Sequence, residues 1–197
     1  MAVDMDSDLG PWILESLLRL PLQSRILKSL IKVVPLPNDN PIIKKIILLR
    51  KIESEISKGC VSESILDCLE RIEELDFQSG MDHDSESLKA AYCAVAVTCT
   101  VQSIADKGAD SKFKYFEAVK RIWKEKVCKM EKVENVALVS EELLSWKALI
   151  EAALWEDSLC DDVLKRTEGM DAVGLVKAYV REEKGKLSSF RGPNDEN

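Results

Sequence analysis

A single histidine, His83, stands in a chain of 197 residues. Ser–His and Cys–His catalytic arrangements need an imidazole beside the nucleophile, so little is available to build one. His83 lies among carboxylates in DFQSGMDHDSES, residues 76–87. That stretch reads as a solvated loop ending in a helix cap, with a metal or catalytic role as its rival. The six cysteines, Cys60, Cys68, Cys93, Cys99, Cys128 and Cys160, occur singly inside helical patterns and no CxxC is present. A zinc site is therefore not expected. Neither GxxxxGK[ST] nor GxGxxG occurs, which removes the familiar phosphate-cradling loops. The acid pairs Glu73–Glu74 and Asp161–Asp162 read as exposed helix faces, with nothing nearby to raise a pKa. There is no N-x-S/T sequon, and MAVDMDSDLG at the N-terminus has no apolar signal-peptide core. Together these absences predict no catalysis, no cofactor, no metal and reduced thiols in the cytosol or nucleus.

Charge is plentiful but segregated. The formal charge is −7 with a pI near 5.0, which argues against whole-surface binding to nucleic acid or anionic lipid. Residues 19–51 nevertheless hold eight Lys/Arg against Asp39, while 53–86 hold eleven carboxylates against Lys58 and Arg71. Residues 111–132 are basic again, with eight Lys/Arg against three Glu, and 134–171 are acidic. Alternation of this kind implies helices that neutralise one another or plain solvated faces. A polyanion groove formed by the basic faces, through Lys44, Lys45, Lys120, Arg121 and Lys124, is the alternative.

Uncharged runs are scarce, and one stands out: Ala90–Ala105, AAYCAVAVTCTVQSIA, closed by Lys89 and Asp106. As a helix it is apolar nearly all round, which assigns it to the middle of a fold. From Val95 to Gln102 it also alternates with strand spacing, but no second convincing strand exists to pair with it. The run is too short, and too rich in Thr, Gln and Ser, to be expected to span a bilayer.

The remaining segments show one apolar stripe each. Trp12, Leu14, Leu17 and Leu18 begin a short helix ended by Pro21, and Leu22–Ile31 continues as a second helix set at an angle to it. PLPNDNP, residues 35–41, punctuates the chain and offers Asn38, Asp39 and Asn40 as caps. A helix from Pro41 to about Lys58 stops at Gly59, and Ser62 opens another whose apolar positions end at Leu75. The sequence 112–132 directs Phe113, Phe116, Val119, Ile122, Trp123 and Val127 inward. Ser140 caps the next helix, and a short segment and a final helix with Leu175, Val176, Tyr179 and Val180 follow. The expectation is all-α: a globular bundle of about eight or nine helices around a central apolar helix at about 86–106. One helical domain spans 11–185, after a flexible N-terminus at 1–10 and before a polar tail at 186–197.

Aromatics beside lysines in 112–132 suit single-stranded nucleic acid, but helical spacing turns Phe116 and Trp123 inward and the lysines out. Trp12, Trp123, Trp146 and Trp155 read as core anchors, and any left exposed as interface anchors. The expected contact surfaces are Trp12, Leu14, Leu17 and Leu18 at one end of the chain and Leu175, Val176 and Tyr179 at the other.

KAAYCAVAVTCTVQSI, KYFEAVKRIWKEKV, LSWKALIEAALWEDSLC and ILLRKIESEISKGCVSESILDCLERIEELD together resemble the N-terminal region of plant telomere-repeat-binding-factor-like Myb proteins. The resemblance covers most of residues 11–183. It implies an all-helical interaction or dimerisation module in the nucleus, with a protein partner or a second copy of itself, and no membrane. In that family a separate Myb/telobox domain reads duplex DNA. No segment here resembles its recognition helix, so contact with nucleic acid is implied only indirectly. A HEAT-like scaffold is a further alternative, weakened by the lack of an internal period.

Overall fold

Asn40 sets the start of the first described helix. The computed structural model describes residues 40–81, 85–105, 110–134 and 136–189, together with Ser29. The Asn40 side chain accepts hydrogen bonds from the amides of Ile42 and Ile43 at 3.0 and 3.2 Å, and Pro41 takes the first helical position, where no amide is needed. Helix α1 then runs Pro41–Ile56 and buries Ile43, Ile46, Leu49, Ile52 and Ile56. Gly59 ends it at φ 72°, a left-handed conformation that lets Cys60 return its amide to Glu55.

Helix α2, Glu63–Gln78, follows on Ser62, whose hydroxyl donates to Glu55 rather than capping its own helix. It continues three residues past Leu75 because Asp76 is buried, and Gly80 closes it in the same left-handed manner. Helix α3 is Glu86–Ala105. Helix α4, Ser111–Ala118, continues without a break as a π-helical stretch, Val119–Val127, and a closing turn, Cys128–Met130. Helix α5, Glu141–Ala152, is capped by Ser140, whose hydroxyl accepts from the Leu143 amide at 3.1 Å. Helices α6, Asp157–Thr167, and α7, Ala172–Ser189, complete the described fold.

The class is all-α, with no strand among the described residues, so the strand alternative for the central run is ruled out. Seven helices are described rather than eight or nine. The two expected between Trp12 and Val34 lie outside the described residues, and α7 runs past the boundary placed at 185. Helix α3 packs against α2, α4, the π-helical stretch, α5, α6 and α7. It is the one described helix long and apolar enough to cross a membrane; its burial on several sides, not a shortage of length, marks it as core.

The π-helical stretch has no counterpart in the sequence reading. Val119, Trp123 and Val127 are buried along it at intervals of four. In an α-helix each such step overshoots a full turn by about 40°, so the third residue drifts off the contact line. The wider π turn keeps these positions closer to one line, and Trp123 meets α3. There the Trp123 indole N–H donates to the Thr100 hydroxyl at 2.9 Å, and Thr100 donates to the Ala96 carbonyl at 2.8 Å.

A buried charge cluster joins α1, α2 and α7. Lys45, only 4% exposed, donates to both carboxylate oxygens of Asp76 at 2.8 and 2.7 Å and is ion-paired with Glu183. Lys186 donates to Glu183 from the rim at 2.9 Å. Burial pushes the Asp76 carboxyl above its ordinary range, against the pull of Lys45. Its folded pKa therefore exceeds its unfolded one. The stability it contributes is fully present below the ordinary aspartate pKa and is lost as pH rises through the raised value. Lys45→Met strands the buried Asp76 carboxylate and leaves Glu183 with Lys186 alone, and is expected to cost about 3–5 kcal/mol in urea unfolding at neutral pH. Asp76→Asn leaves the Lys45–Glu183 pair and is expected to cost less than about 2 kcal/mol. It removes the stability that Asp76 adds as pH falls through its raised value, so the acid limb of the stability curve steepens. Equal costs for the two variants would contradict this account of the cluster.

Candidate functional site

The structure redistributes the residues that the sequence nominates. Trp12, Leu14, Leu17 and Leu18 lie outside the described residues, as does His83. On α7, Leu175 is half-exposed, but Val176 and Tyr179 are fully buried. They are not a contact surface, because α3 and α1 cover that stripe from within the chain. Lys45 is likewise no polyanion contact, being sealed in its cluster with Asp76 and Glu183. Lys44 is half-buried. Lys120 is exposed on the π-helical stretch.

Four of the other cations of 111–132 are drawn into ion pairs with neighbouring helices. Arg121 donates to Glu63 of α2 through two nitrogens, at 3.2 and 2.8 Å. Lys126 reaches Asp67 and Glu70 of α2 at 2.7 and 2.9 Å. Lys124 pairs with Glu151 at 3.0 Å, and Lys112 with Asp157 at 2.8 Å. The basic helix and the acidic helix before it thus neutralise one another, the arrangement that alternating charge blocks imply.

Aromatics separate differently from expectation. Trp123 and Trp146 are core, but Trp155 is 89% exposed, and Phe113 and Phe116, expected inward, are 68% and 50% exposed. Tyr115 takes the inward position instead, with its hydroxyl donating to the Ile150 carbonyl at 2.8 Å. Trp155 sits in the turn between α5 and α6, between Glu151 and Asp157 in the chain. Phe116 sits between Lys112 and Lys124. The pairs Lys112–Asp157 and Lys124–Glu151 tie the segment that carries Phe113 and Phe116 to the segment that carries Trp155. Large aromatics left in water are unusual for a residue class that dominates core and interface energetics.

A second feature lies on the opposite flank of the π-helical stretch. A groove of about 310 Å³ opens between the C-terminal half of α2 and the turn at 131–138. Its apolar lining is Phe77, Met130, Val133, Val136 and Leu138, with Phe77 and Val133 exposed at the walls. Glu73 also lines it. Contrary to the sequence reading of an exposed acid pair, Glu73 is only 6% exposed, whereas Glu74 is solvated and paired with Arg71. The signal was present: Glu73 and Asp76 extend the row of Leu66 and Leu69 at helical spacing, on the face that α2 buries.

All six cysteines are free. Burial pushes Cys93 and Cys99 up to about 12, and raises Cys68 and Cys160 as well. Nucleophilic attack needs an accessible thiolate, so the buried Cys68, Cys93 and Cys99 react slowly in the folded state. Among the described residues no group of three His, Cys, Asp or Glu side chains could hold a metal ion. Alkylation of the native protein with iodoacetamide at pH 8 is expected to label exposed Cys60 first, and Cys68, Cys93 and Cys99 only on unfolding, as read by peptide mass spectrometry. Native labelling of Cys93 at the rate of Cys60 would contradict the burial of α3.

Comparison with protein-family models, with curated proteins and with solved structures yields no match to this chain.

Proposed function

We propose that this chain is a non-enzymatic helical interaction module that binds a second copy of itself or another protein through the flank carrying Trp155, Phe113 and Phe116. The observation that carries the reading is Trp155, 89% exposed in a short turn that the flanking ion pairs hold in place. An exposed tryptophan in a segment tied to one that carries exposed phenylalanines is the kind of anchor around which binding energy concentrates. The all-helical fold agrees with the resemblance to the N-terminal region of telomere-repeat-binding-factor-like Myb proteins. On that resemblance the module acts in the nucleus, and DNA is read by a separate Myb/telobox domain. Ion pairing of Arg121, Lys124 and Lys126 within the fold favours this reading over direct polyanion binding.

Sedimentation velocity over a concentration series tests it, with Trp155→Ala/Phe116→Ala alongside the parent. The self-association form predicts a concentration-dependent increase in mass for the parent and a monomer for the double variant. Both proteins should unfold at similar denaturant midpoints, since exposed positions away from special features change stability by about 0.5 kcal/mol or less each. In the partner form the parent stays monomeric but retains a bound protein that the double variant loses. A monomeric parent with the same bound proteins as the variant would overturn the reading.

A further inference from the structure

The groove between α2 and the 131–138 turn carries an inference independent of the aromatic flank. Glu73 is nine-tenths buried, and its one hydrogen bond is to the Ala137 amide, which donates to Oε1 at 3.1 Å. Among the described residues no cation is paired with it, although Glu70 has Lys126 and Glu74 has Arg71. A carboxylate with one oxygen free of hydrogen bonds within the protein is a strong acceptor for a cationic donor. The lining reinforces the sign of that demand: Glu70, Glu73, Glu74 and Glu134 against Lys129. Around the carboxylate the walls are apolar and exposed, which suits the hydrocarbon stem of a long basic side chain. The volume is at the lower limit for ligand pockets, enough for one or two side chains rather than a large cofactor.

We propose that this groove docks a partner peptide in which an arginine or lysine meets Glu73 and a neighbouring apolar side chain packs on Phe77 and Val133. Charge complementarity selects this occupant over an acidic segment, which would meet Glu73 and Glu134 beside the already paired Glu70 and Glu74. It also selects it over a purely apolar one, which would leave Glu73 buried and unpaired.

The test titrates the full chain, isotope-labelled for NMR, with a short synthetic peptide alternating leucine and arginine. A matched peptide with citrulline in place of arginine keeps the shape and removes the charge. The arginine peptide should shift the resonances of Val133, Val136 and Leu138, and the citrulline peptide should bind about thirtyfold more weakly, the low end for removing one member of a buried charge pair. Glu73→Gln, whose amide oxygen can still accept from Ala137, should lose the same factor. Asp161→Asn, exposed on α6, should bind as the parent does. No binding, equal affinity for the two peptides, shifts confined to other surfaces, or parental affinity in Glu73→Gln would each overturn the proposal. Concentration-dependent shifts of the same three residues without peptide would assign the groove to a second copy of the chain and overturn it too. Trp155→Ala leaves this binding intact, so the result stands apart from the fate of the aromatic flank.

Discussion

Helix α3 has no polar face to give to water, and the placement of its neighbours follows from that constraint. Leu88, Ala91, Tyr92, Val95, Ala96, Val97, Cys99 and Val101 are buried on different sides of one helix, so one partner cannot cover them. Each large apolar side chain buried in this way contributes about 1.5–3 kcal/mol relative to exposure. Small residues at 91, 94 and 96 let neighbouring helices come close, as dense packing requires. The polar atoms that accompany them are bonded locally. Thr100 joins the backbone of α3 to Trp123, and Tyr92 donates to Glu70 at 2.7 Å.

Charge settles how the outer helices are placed around that hub. Helix α2 presents Glu63, Asp67 and Glu70 to Arg121 and Lys126 of the π-helical stretch, while α5 presents Glu151 to Lys124 of that stretch and α6 presents Asp157 to Lys112 of α4. Such partly exposed pairs contribute little stability singly, but they fix which flank of the helix meets which neighbour. Lys45, Lys112, Arg121, Lys124 and Lys126 are thus committed to carboxylates within the fold, while Lys114, Lys120, Lys129 and Lys132 stay exposed.

The parts legible in the sequence were those fixed by local rules. Asn40 and Ser140 cap as their types and positions require, Gly59 ends α1, and the uncharged run from Ala90 is the core helix. The parts that were not legible depend on which neighbour arrives. Phe113 and Phe116 lie near the inward face by α-helical spacing, but the inward line starts from Tyr115 and widens into a π turn at Val119, which leaves both rings outside. Val176 and Tyr179 were assigned to a surface because no sequence-local helix covers them; α3 covers them from far along the chain. Glu73 was taken for half of a solvated pair, although its spacing from Leu66 and Leu69 put it on the buried face. A carboxylate on an apolar row is a signal that residue type alone conceals.

The central claim is that α3 is the buried hub on which the remaining helices depend. Native-state amide hydrogen exchange measures this most directly, because it ranks segments by the free energy needed to open them. The account predicts that the amides of residues 91–101 exchange last, through the same global opening that releases the buried parts of α2 and α7. Exchange of 91–101 as fast as that of α6, or in a local opening that leaves α2 and α7 protected, would contradict it.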